Sequence, residues 1–295
     1  MNPLIDPTDP DSFVEAPRQH PLKLFWSRLK KRKMTLLGAA LVVLFLVLAS
    51  GAHLMAPHDP FKQDLRHRLA GPSEDYPMGR DDLGRCILSR VIYGARTSLY
   101  IGVSAIGIGL SIGVLLGAVA GYYRRLDGPI MRMIDIMLAF PTMFLALAIV
   151  SMLGPGLNNV IVAVGIYSVP TFCRITRGSV LAVKEIEFIE AARAIGAGDA
   201  TIIFGHILPN CLAPLIVQTT LYLPAAIITA AGLSFLGLGV QSPIAEWGAM
   251  LGEGRVYLQV APHVAVFPGL AIMIVVFGFN LLGDGLRDIL DPRLN

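Results

Sequence analysis

Residues 98–121 read SLYIGVSAIGIGLSIGVLLGAVAG, twenty-four residues without a charged side chain. A helix needs about 20 consecutive apolar residues to cross the hydrocarbon core of a bilayer. Strands and the helices of soluble cores are usually shorter. The stretch therefore predicts a membrane-crossing helix. Within it Gly109, Gly113, Gly117 and Gly121 recur every four residues, which places them on one face. A groove of small residues lets a second helix approach closely, and close packing is what holds membrane helices together where lipid removes the hydrophobic drive. GIGLSIG at 107–113 loosely echoes a dinucleotide-binding fingerprint. That chemistry needs a preceding strand and a βαβ unit, and an apolar run supplies neither.

Five more apolar runs lie at 34–56, 133–153, 158–172, 211–240 and 263–283, which makes six predicted spans. Composition agrees: 54% of the 295 residues are hydrophobic and only 15% charged, against about 25% charged in ordinary soluble domains. The fold class is all-α, a polytopic membrane protein. Five segments follow: a tail at 1–33, a first span at 34–56, a loop at 57–97, a core of spans at 98–283 and a second tail at 284–295. The run 211–240 exceeds one crossing and contains Pro214 and Pro224, so it is expected to bend or to continue past the bilayer. A signal peptide competes for 34–56, because Ala49-Ser50-Gly51-Ala52 resembles a cleavage site. The run is long for a signal core and its preceding tail too long for a signal head, which favours a retained span. In the tail, Leu22, Phe25, Trp26 and Leu29 recur at helical spacing among Lys23, Arg28 and the run 30–33. They predict an amphipathic helix lying in the membrane surface.

Six spans put both termini on one side. Lys plus Arg number sixteen on that side and eight on the other. The bias places both termini in the cytoplasm, although seven of the eight sit in the 57–97 loop among six acids. Inside the runs Asp135 is the main ionisable residue, three positions after Arg132 and within reach of it on a helix face. Proton- and ion-coupled carriers need intramembrane charge, so its scarcity argues against a secondary carrier. Cys86, Cys173 and Cys211 are far apart and form no CxxC pair, which supports neither a disulfide framework nor a zinc site. No His precedes a Glu, so HExxH is absent, and nothing in the sequence joins Ser234 to His263 as a catalytic pair. No basic patch with interleaved aromatics suggests nucleic acid. Trp247 suits an interface anchor.

The segment 173–210 carries the most information. Residues 187–208 read EFIEAARAIGAGDATIIFGHIL, followed by Pro209 and Asn210. Ala191, Ala192 and Ala194 give a low-profile helix whose first turn holds Glu190, favoured there by the helix dipole. Gly196 and Gly198 end it. Ile202, Ile203 and Ile207 mark a second short helix, which Pro209 is expected to stop. A helix-turn-helix projecting from a membrane bundle suits docking into a groove of another protein.

The run Glu190-Ala191-Ala192, then Gly196, then Ile207-Leu208-Pro209, resembles the EAA loop of ABC importer permeases. The resemblance extends to MGRDDLGRCILSRVIYGARTSL at 78–99, GYY at 121–123, MRMIDIMLAFP at 131–141, PNCLAPLIVQ at 209–218, LSFLGLG at 233–239, EWGAML at 246–251 and NLLGDGLRDILDPR at 280–293. It covers about 22–295 and is closest to the C-type subunit of dipeptide, oligopeptide and glutathione importers. Arg80 and Cys86 depart from that pattern, where Thr and Asp are usual. The resemblance implies the type I permease fold in a bacterial or archaeal inner membrane. It implies half of a translocation pathway, with a homologous second permease supplying the other half. Two ATP-binding subunits would dock on the loop through Glu190, Ala191, Ala192, Arg193 and Gly196, with His206, Ile207, Leu208 and Pro209 completing it. An extracytoplasmic binding protein would deliver cargo, and membrane lipid would surround the chain. None of the six lysines follows a glycine, so no G-x-x-x-x-G-K-[ST] phosphate loop exists. ATP and magnesium are then expected on partner subunits, with no cofactor and no catalytic site in this chain. The resemblance favours di- or oligopeptides as cargo. VAPHVAVFPGLAI at 260–272 keeps glutathione open, and related systems carry nickel.

Overall fold

The computed structural model describes residues 32–290. The predicted amphipathic stretch before residue 32 lies outside them. Nine helices of eight or more residues occur among the described residues: α1 (Lys33–Ser50), α2 (Ile87–Tyr122), α3 (Arg124–Ala139), α4 (Thr142–Leu153), α5 (Leu157–Val183), α6 (Glu187–Ala194), α7 (Leu212–Phe235), α8 (Trp247–Gly254) and α9 (His263–Leu290). No strand occurs among them, only an isolated antiparallel bridge between Arg80 and Cys86. Five helices are long and apolar enough to cross a membrane: α1, α2, α5, α7 and α9. The pair α3 and α4 makes a sixth crossing only if its 92° bend lies within one span.

That bend corrects the expectation of one continuous helix over 133–153. Phe140 sits in an extended conformation (φ −86°, ψ 135°) immediately before Pro141. The proline ring disfavours helical geometry in the residue before it, so α3 ends there and α4 starts afresh. The sequence also underestimated three helices. The second begins at Ile87, the fifth continues to Val183 and the ninth to Leu290. Within 211–240 the helix runs through Pro224 and stops at Phe235. Gly237 at φ +82° then turns the chain.

Two helix pairs organise the molecule. The first joins α2 to α5 through the four glycines. A Cβ on Gly113 would lie 2.6 Å from Phe172 Cβ and 2.8 Å from the Val169 carbonyl oxygen. One on Gly117 would lie 2.5 Å from the Cys173 carbonyl oxygen and 2.7 Å from Thr176 Cβ. Around this contact Ile101, Ala105, Val164, Phe172, Ala226 and Leu233 form a core shared by α2, α5 and α7. The second pair joins α1 to α9, where a Cβ on Gly38 would lie 2.6 Å from the Leu282 nitrogen. Phe45, Trp247, Val275 and Phe279 build a second core there with α2 and α8. Asp135 does not pair with Arg132. It accepts from Arg174 of α5 at 2.6 Å instead, because α3 lies against α5. At the end opposite α6, Glu246 caps α8: its carboxylate accepts from the backbone N–H groups of Gly248 at 2.9 Å and Ala249 at 2.8 Å.

The glycine contact yields a paired prediction. Gly117→Val forces side-chain atoms into the α5 backbone, and overpacking of this kind costs about 1–3 kcal/mol or more. Gly107 lies on the same helix, and a Cβ added there would meet no atom within 4 Å; Gly107→Ala removes a helix-interior glycine and should gain about 0.5–1 kcal/mol. Thermal unfolding of the two variants in detergent should move in opposite directions from the parent.

Candidate coupling site

The turn between α5 and α7 is built from local rules. Ile186 is extended (φ −84°, ψ 139°) and opens α6, whose first turn carries Glu187 and Glu190, a favourable placement for negative charge. The helix closes on a Schellman motif. The Ala197 N–H donates to the Ala192 carbonyl at 3.0 Å and the Gly196 N–H to the Arg193 carbonyl at 2.9 Å. Gly196 takes φ +86°, a conformation that side chains resist. After Gly198 the chain winds through one helical turn (Asp199–Thr201), a π-helical turn (Ile202–Ile207) and another α-turn (Leu208–Asn210). Pro209 does not stop it. It follows the π-helical turn directly, and helical geometry continues through Cys211 into α7.

Burial divides the segment in two. Ile189, Ala192, Ile202, Ile203 and Ile207 face inward, and the isoleucines join the core around α2 and α5. Glu190, Ala191 and Arg193 face outward. Ile195 beside them is 87% exposed, a bare apolar knob at the tip. Of the two alanines at 191 and 192, only Ala191 thus belongs to the outer face. His206 and Leu208 are half-buried and Pro209 is exposed. The His206 ring lies 6.4 Å from that of Phe188 on α6, and its carbonyl accepts from Asn210 Nδ2 at 2.6 Å.

Polar contacts fasten the turn to the end of α2. The Asp199 carboxylate accepts from the Tyr122 hydroxyl at 2.6 Å and the Tyr123 hydroxyl at 3.1 Å. Arg193 lies over the Tyr122 ring, 5.4 Å from its centroid. Lys184 Nζ donates to the Gly121 carbonyl at 3.0 Å. The last glycine of the α2 groove therefore meets the coupling turn directly, while Gly109, Gly113 and Gly117 lie farther along α2 against α5. Arg177 near the end of α5 grips Asp127 of α3 with two bonds, at 2.5 and 2.7 Å. Sequence reasoning missed Asp199, Tyr122, Tyr123 and Lys184 as a set. GYY carried a signal, yet its partner lies 77 residues away and no local spacing connects them. Among the described residues no group of three or more His, Cys, Asp or Glu side chains could hold a metal ion.

The fold is that of a helical protein built to cross a membrane several times. Residues 109–295 match the family of binding-protein-dependent transport system inner membrane components, and residues 20–72 match the N-terminal transmembrane domain of oligopeptide transport permease C. The chain belongs to this family of ABC importer permeases. It is 46% identical over 290 residues to the dipeptide transport system permease protein DppC of Alkalihalophilus pseudofirmus, covering 98% of this chain and 95% of that one. It is 50% identical over 272 residues to the glutathione transport system permease protein GsiD of Escherichia coli, covering 92% and 90%. Its fold is that of the permease in the inward-facing MetNI methionine ABC transporter, with a TM-score of 0.52 at 22% identity over 69% of this chain and 95% of that one. The protein is thus a multi-pass component of the inner membrane with the type I permease fold.

The Asp199 anchor is testable without transport. Asp199→Ala frees both tyrosine hydroxyls and removes the polar tie between the turn and the end of α2. Limited proteolysis within 187–211 should speed up several-fold, while the melting temperature of the helical bundle stays near the parent value.

Proposed function

We propose that the chain forms half of the pathway of an ATP-driven importer of di- or oligopeptides, and that the outward face of α6 couples it to a separate ATPase. The observation that carries the coupling role is the split character of the turn. Its inner face is locked into the α2–α5 core, and its outer face presents Glu190, Ala191, Arg193 and Ile195 to a partner. A short helix held rigidly at its base and bare at its tip moves with whatever grips it. On this reading two ATP-binding subunits hold ATP and magnesium, and one of them closes around α6 when ATP binds. The push passes through 202–211 into α7, and the bundle alternates between inward- and outward-open states. A second, homologous permease completes the pathway. A binding protein delivers cargo on the side of residues 57–86 and 236–262, and both termini lie in the cytoplasm, in line with the bias of basic residues. This chain supplies no catalytic group.

Peptide cargo rests on the relatives named for dipeptide and oligopeptide transport. Glutathione is the second reading, carried by the relatives named for it at 50% identity. Uptake of a labelled dipeptide and of labelled glutathione, with and without the gene, separates them. Loss of dipeptide uptake is the expected result; loss of glutathione uptake alone transfers the cargo to the second reading. In the assembled transporter Gly196→Leu should abolish transport while ATP hydrolysis continues, because the φ +86° turn no longer holds α6 at its angle. Normal uptake by that variant would remove Gly196 from the coupling role.

A further inference from the structure

At the end of the molecule opposite α6, four charged side chains are packed together, three of them buried and the fourth, Glu253, with 31% of its side chain exposed. Arg85 and Arg90 are each 1% exposed and Asp81 is 4% exposed. Arg85 donates from Nε to Asp81 at 2.5 Å and from Nη2 to Glu253 of α8 at 3.1 Å. Its Nη1 reaches Ser242 Oγ at 3.4 Å. Arg90, in the first turn of α2, places Nε 3.4 Å from Asp81 and Nη2 3.6 Å from Glu253, and donates from Nη1 to the Pro243 carbonyl at 3.3 Å. Asp82 stands 3.6 Å from Arg85. Asp81 also organises its own loop, accepting from the backbone N–H groups of Leu83 at 3.0 Å and Arg85 at 2.8 Å. Burial pushes the Glu253 carboxyl up, against the pull of Arg90 and Arg85.

Charges are expensive to bury, and apolar packing would join two surfaces at lower cost. What a buried ionic cluster supplies is an all-or-none joint. Pulling its halves apart leaves charge uncompensated on both, so the segment before α2 and the α8 region separate together or not at all. The next contact along is equally stiff. Gly252 of α8 lies so close to α7 that a Cβ there would be 2.9 Å from the Phe235 carbonyl oxygen, and Gly248 is seated against the Ala231 backbone. From α7 helical geometry runs back through Cys211 to the coupling turn.

We propose that Asp81, Arg85, Arg90 and Glu253 form a joint that moves residues 79–90, α8 and α7 as one body, so that docking of the binding protein on the 57–86 segment reaches the coupling turn. The four are positioning residues, acting through the segments they join. The proposal rests on the reading under Proposed function for its two ends, and on the geometry alone for its middle.

The test uses the assembled transporter in nanodiscs, with Glu253→Gln as the nearly isosteric variant and Glu253→Asp as a milder one that retains the charge. Hydrogen exchange reads the joint by itself. In Glu253→Gln, exchange should rise by at least about tenfold in both 79–90 and 247–254, with a smaller rise in Glu253→Asp. A rise confined to one segment, or none, overturns the joint. ATP hydrolysis reads the consequence. The basal rate and the binding-protein concentration for half-maximal stimulation should stay near the parent values while the maximal stimulation falls several-fold, which a general loss of folding would not produce. Full stimulation in a variant whose two segments have both loosened overturns the coupling. A parent transporter whose hydrolysis ignores every binding protein sinks the functional reading instead, and the exchange experiment still decides the joint.

Discussion

The contact between α2 and α5 is the constraint on which the rest depends. Lipid offers no hydrophobic reason for these helices to associate, so they must gain from proximity itself. Gly109, Gly113, Gly117 and Gly121 allow it, each seated against successive turns of α5 from Gly165 to Val180. Once α5 is held, α3 packs beside the same contact, with Ile134 buried against Val169 and Cys173. Its end delivers Arg177 to Asp127 and Lys184 to the Gly121 carbonyl. The coupling turn thus inherits its position from a row of missing side chains more than from any bond of its own.

Where the chain puts charge follows the same logic. Among the described residues the candidate spans are nearly free of ionisable groups through their middles, and ion pairs gather where helices end. At the α6 end Arg174 and Asp135 are exposed and Arg177 and Asp127 partly so, and exposed pairs contribute little stability. At the opposite end Arg85 and Arg90 are buried. Charge thus meets solvent at one end and is enclosed at the other. At that end too, Arg80 faces Cys86 across a bridge and stacks 3.7 Å above the Tyr76 ring.

Much of this was legible in the sequence, for physical reasons that differ by element. The spans of α1, α2 and α9 announce themselves by unbroken apolar length, and the four-residue glycine spacing names the packing face of α2. The α6 turn is legible because its rules are local: acids at the start, Gly196 at the close. The bend at Pro141 escaped although the proline was in view, since hydropathy registers composition and is blind to the extended geometry forced on Phe140. Proline at 209 misled in the other direction, because the chain stays helical on both sides of it, through a π-helical turn before and α7 after. The Asp199–tyrosine anchor and the Arg85–Glu253 pair, 168 residues apart, are products of the assembled fold, and no periodicity of the chain anticipates them.

The π-helical turn at Ile202–Ile207 sets the rotation of α7. Each residue in an α-helix advances the chain by about 100° around its axis, so a turn that absorbs one residue more than its neighbours resets every side chain after it. Here the setting leaves Leu215, Ala226, Ala230 and Leu233 facing the core and Leu212, Ile216 and Ile228 outside it. Six residues between α6 and a span therefore act as the phase of that span. Deleting one residue within them would keep both helices intact and still turn the buried face of α7 by about 100°.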